Sequence, residues 1–307
     1  MSFTAQSLST AIADATTTVV ATAGPSVVRV GQHGGRGCGV VVADGFVLTN
    51  SHNMRDRTTA VTFADRRVEQ GSVMAVDVDG DLVVLAVATA GTPAIPWADA
   101  PSAVGHLAFA VVRTSDGGAR VTVGTLSRVD GAFRGPRGRP VEGSLEHTAP
   151  LARGSSGSPL VDADGRLLGL NTARLGGAFY AALPADEALR GRVDALLRGE
   201  SPQRRTLGLG LAPAEVAAKL RAAVGLPERA GLLVRSVDPN GAAASAGVQV
   251  GDLLSGAAGR SVTTTDDVHR ALDDPGAAAV LDLLLVRGVE ELTVRVGFEP
   301  AAEQGES

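Results

Sequence analysis

Cysteine is almost missing from this chain. Cys38 is the only one among 307 residues, which excludes an intramolecular disulfide and any cysteine-based metal cluster. A single cysteine inside an apolar run reads as a small buried residue. Lysine is equally scarce: Lys219 stands alone, and arginine supplies the remaining positive charge. A net charge of −5 gives no overall electrostatic case for nucleic acid, and the run "RGPRGR" (134–139) reads as a solvated loop. No uninterrupted apolar stretch approaches about 18 residues, so no membrane span is expected. The first residues, "MSFTAQSLSTAIADATTTVV", lack both a basic n-region and a continuous apolar h-region. A cytoplasmic location is therefore the expectation, with export the alternative if a leader has been trimmed.

What is present points to β-structure. The chain is 44% hydrophobic with 39 glycines and only 3% aromatics, enough apolar material for packed cores of Val, Leu and Ala. Residues 5–20 are compatible with a helix. From "PSVVRVGQ" to about Ala182, short β-rich runs follow one another: "GCGVVVADGFVLTN", "DLVVLAV", "HLAFAVVR", "RVTVGTLSRV" and "SPLVDADGRLLGLNTA". The Asp44-Gly45 and Asp164-Gly165 pairs between apolar residues predict hairpins. Many short strands without an interrupting helix predict a barrel or sandwich rather than a parallel α/β sheet. The texture changes after Pro184, where Leu189, Val193, Leu196 and Leu197 share one helical face, followed by the polar "ESPQRR". The predicted organisation is an N-terminal segment (1–20), a first domain (21–199), a linker (200–205), a second domain (206–299) and a disordered tail (300–307). The second domain mixes strands with helices near 213–224, 241–246 and 265–273.

The stretch "GSSGSPLVDADG" (154–165) raises the chemical question. A serine becomes a useful nucleophile only beside a base, and the base needs a third group to hold its tautomer. Flanking glycines let backbone amides turn toward an oxyanion. "GFVLTNSHNM" places His52 just after a strand, and "DGDLVVLAV" places Asp81 at the start of another. The order His, Asp, Ser is that of chymotrypsin-like double barrels. Asp77 and Asp79 compete with Asp81, which is preferred because "LVVLAV" follows it directly. The run Asp77-x-Asp79-x-Asp81 imitates a calcium loop, but the required Gly and Glu positions hold Leu82 and Ala88. His33, His106, His147 and His269 show no ligand spacing, so no metal and no cofactor is expected.

These motifs resemble those of the HtrA (Deg) serine proteases. "GCGVVVADGFVLTNSH" is similar to that family's Gly-Ser-Gly strand and "LTN-x-H" motif, "DLVVLAV" to its "DLAVLKV", and "GSSGSPLVDADGRLLGLNT" to its "GNSGGPLVNxxGxVIGINT". "AFYAALPAD" stands where the family has "GFAIP". The resemblance implies a mainly β, chymotrypsin-like double β-barrel protease domain followed by an α+β PDZ domain. It implies Ser156 as nucleophile, His52 as general base and acid, Asp81 as orienting carboxylate, and the amides of Gly154 and Ser156 as oxyanion hole. Cys38, Ser155 and Ser158 replace the usual Ser, Asn and Gly, and "SHNM" replaces "AHVV" beside the base. Pro150, Leu151 and Asn171 are expected to line an apolar substrate pocket suited to small or medium aliphatic residues.

Downstream, "TLGLGLAP", "GLLVRSVDPNGAAASAGVQVGDLL" and "GRSVTTTDDVHRAL" resemble a bacterial PDZ domain. Peptide C-termini would be caught at Leu207-Gly208-Leu209, with Val268 and Leu272 lining the groove. Family likeness implies unfolded or misfolded protein segments as substrates, and a trimer for which Phe3 is the one aromatic contact available. The alternative reading is a catalytically silent scaffold or chaperone that binds peptides through the same barrels.

Overall fold

The computed structural model describes residues 5–31, 37–99, 102–134, 140–202, 205–274 and 279–298. His33, most of the arginine-rich stretch, linker residues 203–204 and the tail 300–307 lie outside the described residues. The chain divides into two compact units, 1–202 and 203–307.

In the first unit a helix, α1 (Ala5–Thr22), precedes two closed six-stranded barrels. Barrel one contains β1 (Val27–Val30), β2 (Gly37–Ala43), β3 (Phe46–Thr49), β4 (Thr58–Thr62), β5 (Val68–Asp77) and β6 (Leu82–Ala86), closed in the order β1-β2-β3-β6-β5-β4. Barrel two contains β7 (Leu107–Arg113), β8 (Ala119–Arg134), β9 (Pro140–His147), β10 (Pro159–Val161), β11 (Leu167–Gly176) and β12 (Phe179–Pro184), closed as β10-β11-β12-β9-β8-β7. All the named strand pairs are antiparallel. The two Asp-Gly pairs sit at hairpin tips, with Gly45 and Gly165 at φ 82° and 80°.

Strand periodicity explains the uninterrupted apolar runs. In β6, Val83 and Leu85 point into barrel one with Val28, Val41 and Phe63. Leu82 and Val84 point the other way, into a core shared with Phe109, Val161, Leu167 and Leu170 of barrel two. A strand buried on both faces loses its polar alternation. Helix α2 (Glu187–Leu197), capped by the Asp186 carboxylate on Leu189 N at 2.8 Å, closes this shared core with Leu189, Val193 and Leu196.

The second unit is a six-stranded sheet ordered β13-β14-β15-β17-β18, with β16 pairing β15. Its strands are β13 (Leu209–Ala212), β14 (Leu232–Val237), β15 (Leu253–Ala257), β16 (Arg260–Ser261), β17 (Val280–Arg287) and β18 (Glu290–Gly297). Helices α3 (Ala214–Ala223), α4 (Ala242–Ser245) and α5 (Thr265–Asp273) complete it. Helix α5 begins with a capping box in which Thr264 and Asp267 satisfy each other's backbone amides. No described helix is long and apolar enough to cross a membrane.

Candidate active site

The site lies where the barrels meet, and each side chain arrives from a strand end. β3 ends at Thr49, and a single 3₁₀ turn over Ser51–Asn53 presents His52. Asp81 precedes β6 in a left-handed conformation, φ 55°, which a short polar side chain tolerates better than most. Ser156 lies in the turn before β10, between Gly154 and Gly157 at φ 81° and 82°.

Asp81 is 1% exposed and its carboxylate is saturated with donors. His52 Nδ1 lies 2.8 Å from Oδ2 and 3.0 Å from Oδ1. Ser51 Oγ and the His52 backbone N–H donate to Oδ1 at 3.0 and 3.1 Å, and Thr172 Oγ1 donates to Oδ2 at 2.6 Å. A buried carboxylate survives in this way only when every lone pair meets a donor. The Asp81 carbonyl is held in turn by Ser51 N at 3.2 Å and Asn50 Nδ2 at 3.0 Å. Such a pairing puts the imidazole proton on Nδ1 and leaves Nε2 free to accept one. The ring itself is about one-third exposed, so it is reachable.

The serine turn is fixed from both sides. Gly157 N donates to Asn171 O at 2.7 Å, and Asn171 N to Ser158 O at 2.9 Å. Ser156 Oγ donates to Thr172 O at 3.3 Å; among the described residues it makes no hydrogen bond to His52. Bonds between nucleophile and base commonly tighten only with substrate present. Among the described residues, neither Gly154 N–H nor Ser156 N–H reaches a protein acceptor. The two amides expected for the oxyanion are therefore unspent.

A cavity of about 140 Å³ opens beside Ser156, walled by Leu151, Ala152, Asn171, Ala173, Arg174 and Tyr180. Pro150 does not line it. That residue is exposed, and its carbonyl accepts Thr122 Oγ1 at 2.7 Å. Beneath the wall His147, fully buried, lies 2.8 Å from Asn171 Oδ1 through Nε2 and stacks on Tyr180 at 5.6 Å. Burial pushes its pKa down from 6.5 to about 4, against the opposing pull of Asn171 and Glu146.

Several contributing residues escaped the sequence reading. Thr172 and Asn53 hold their partners only in three dimensions, 91 and 103 residues away. The signals available were the hydroxyl next to Asn171 in "GLNTA" and the odd "SHNM". Asp77, a rival for Asp81, is occupied elsewhere: its Oδ2 binds Arg192 Nε and Nη2 at 3.0 and 2.8 Å. In the second unit, Gly208 has φ 73° and its carbonyl accepts Asp238 N at 2.8 Å, fixing the Leu207–Leu209 turn beside edge strand β13. Val268 and Leu272 are 5% and 4% exposed and pack into the unit's core with Leu207.

Comparison with known proteins agrees with both units. Residues 37–170 match the trypsin-like peptidase domain and residues 233–285 the PDZ domain. The chain is 29% identical over 284 residues, 86% of its length, to a probable periplasmic serine endoprotease, DegP-like, of Brucella suis biovar 1. It covers 53% of that protein, so it spans about half the length of this relative. It is 28% identical over 275 residues to the serine endoprotease DegS of Escherichia coli K12, covering 86% of this chain and 76% of that one. In fold it is similar to the HtrA-type protease AlgW solved with a decapeptide, with TM-score 0.65 and 21% identity over 93% of this chain and 99% of that one. A serine endoprotease from Yersinia pestis gives TM-score 0.63 and 24% identity over 92% and 96%. The chain thus combines a trypsin-like peptidase domain with a PDZ domain, and the relatives it resembles are named DegP-like and DegS serine endoproteases.

Proposed function

We propose that the chain is a serine endopeptidase of the HtrA type, cleaving unfolded or misfolded protein segments through an acyl-enzyme. The observation that carries this reading is the His52–Asp81 pair, at 2.8 Å, set beside a glycine-flanked serine turn whose amides are unspent. His52 Nε2 would take the Ser156 proton as Oγ attacks the scissile carbonyl carbon. The amides of Gly154 and Ser156 would receive the oxyanion. Collapse of the tetrahedral intermediate would expel the amine, which takes the proton from His52. Water, deprotonated by the same ring, would then release the acid and restore Ser156. Asp81 holds the ring through Nδ1 and stabilises the imidazolium.

In this reading residues 21–199 are the protease domain, 200–205 a linker and 206–299 the PDZ domain; the division of the chain between 202 and 203 supports it. The second unit would receive peptide C-termini, pairing them along β13 with the carboxylate on the Leu207–Leu209 turn. Labelling with a fluorophosphonate probe tests the chemistry. Wild type should label and digest unfolded casein, and Ser156→Ala should do neither. Absence of Ser156-dependent labelling would leave the scaffold reading instead.

The bond from Ser156 Oγ to Thr172 O favours one refinement, an enzyme that rests with its serine turned from the base. A C-terminal peptide added to the full chain should then raise kcat. Turnover unchanged by saturating peptide counts against it.

A further inference from the structure

The nucleophile turn belongs to barrel two, yet barrel one holds its backbone. Ser156 O accepts two hydrogen bonds, from Cys38 N at 2.8 Å and from Asn53 Nδ2 at 3.0 Å. Asn53 Nδ2 also donates to Thr49 Oγ1 at 2.9 Å, and Thr49 Oγ1 donates to Cys38 O at 2.6 Å. The Cys38 thiol donates to Gly154 O at 3.6 Å. Burial pushes this thiol's pKa up to about 11, so it keeps its proton. Asn53, Thr49 and Cys38 are 2%, 0% and 1% exposed; the bonds among them are buried, and those they send to Ser156 O and Gly154 O are half-buried.

The glycines fit this arrangement. A Cβ on Gly157 would fall on Cys38 O and Thr49 Oγ1, and one on Gly37 would fall on the Asn53 side-chain amide. Gly37 thus leaves room for Asn53, and Gly157 leaves room for the network that Asn53 completes. The carbonyls so held belong to the peptide links on either side of the Ser156 N–H. Fixing both removes the peptide rotations that would swing that amide off target.

We propose that Asn53 is a positioning residue that, together with Cys38, locks the Gly154–Gly157 turn in place before substrate arrives. The proposal rests on Ser156 being the nucleophile. It gives the unusual "SHNM" a purpose: adjacent residues deliver the base, His52, and the anchor for its serine, Asn53. Thr49 and Asn53 lie within one turn of His52, so base and nucleophile share a single scaffold although they come from different barrels. Misplacing a reacting group by a fraction of an ångström slows the step without weakening binding.

Two variants approach the same bond from different directions. Asn53→Val removes the donor at similar size, and Gly37→Ala displaces the Asn53 amide without touching a bonding group. Three readouts on the full chain follow: hydrogen exchange of the 152–160 segment, active-site titration with a fluorophosphonate, and kcat and KM on a peptide substrate. Both variants should exchange faster over 152–160 while β6 keeps its protection. Each should show kcat per titrated site lowered by about tenfold with KM within about twofold. Unchanged exchange and kcat in Asn53→Val overturns the proposal. So does a loss of activity fully accounted for by fewer titratable sites, since that marks a purely structural role. If wild type itself fails to titrate while exchange still responds to Asn53→Val, the lock stands and the protease reading falls.

Discussion

Thr172 donates its hydroxyl to Asp81 Oδ2 at 2.6 Å, from barrel two into the loop that leads to β6 of barrel one. The same residue accepts Ser156 Oγ on its carbonyl at 3.3 Å. One residue therefore touches both ends of the proposed triad. A hydrogen bond to a charged group contributes about 1.5–3 kcal/mol, and Asp81 is too buried for water to take over. Thr172→Val keeps the shape and removes the hydroxyl, so kcat should fall about ten- to a hundredfold, whereas Thr172→Ser should retain most of it. Steady-state kinetics on a peptide substrate decide. Equal kcat for Val and Ser at this position would show that the hydroxyl carries no share of the positioning.

His147 supplies a pH-dependent stability. In the folded chain its pKa is lowered from 6.5 to about 4 by burial, and its Nδ1 has no hydrogen-bond partner among the described residues. The unfolded ring protonates near 6.5 while the folded ring resists, so the unfolded state gains protons first as pH falls. Stability is therefore full above about 6.5, declines between 6.5 and 4, and levels off below. The loss should total roughly 3 kcal/mol, at 1.36 kcal/mol per pKa unit. Trp97, the one tryptophan, bridges to Leu167 and reports on the first unit alone. Urea midpoints followed by its fluorescence should fall less steeply with acid in His147→Gln than in wild type. Parallel curves would mean that the buried imidazole is not the titrating group.

The sequence showed most readily what is local or periodic. Runs such as "LVVLAV" announced buried strands, and two Asp-Gly pairs announced hairpins, because backbone geometry is set within a few residues. His52, Asp81 and Ser156 stood out because a nucleophile, its base and its acid must each occupy a narrow chemical context. Residues that act through distant partners left no such trace. Asn53 looks like a stray polar residue until the chain brings Ser156 against it, and Thr172 looks like an ordinary strand threonine. Pro150 is outside the wall of this cavity for the same reason: its carbonyl accepts a bond from Thr122, 28 residues earlier. Spacing from Ser156 could not foretell which way that segment turns.

Asp77 shows how a charge beside the site serves the fold. It is 3% exposed, with Arg192 of α2 on Oδ2 and the Gly80 amide on Oδ1 at 2.9 Å. Removing Arg192 leaves a buried carboxylate with one backbone donor, a costly arrangement. Because Arg192 is about one-third exposed, solvent offsets part of the loss, and Arg192→Ala should destabilise the first unit by about 2 kcal/mol. Gly80→Ala should have a similar effect, since its Cβ would fall on the Arg192 guanidinium. Denaturation followed at Trp97 measures both. Combining them should cost little more than either alone, because both break the same ion pair; full additivity would mean separate causes.

The cavity beside Ser156 sets the expected cleavage preference. Its volume is about 140 Å³, and Leu151, Ala152, Ala173 and Tyr180 give it an apolar wall with no carboxylate. Arg174 closes one side, its guanidinium donating to Leu151 O at 2.7 Å and lying over the Tyr180 ring at 5.1 Å. A space this small, with arginines as its only charged wall residues, suits Ala, Val, Ile or Leu before the scissile bond and disfavours large aromatic residues. It offers no counter-charge to Lys or Arg. Digestion of a proteome-derived peptide library, read by mass spectrometry, should show cleavage after small and medium aliphatic residues. Arg174→Ala should open the wall and move the preference toward Met and Phe, with kcat/KM for Val substrates falling several-fold. Dominant cleavage after Arg or Lys in the wild type, or a preference that Arg174→Ala leaves unmoved, would show that residues other than this wall select the substrate.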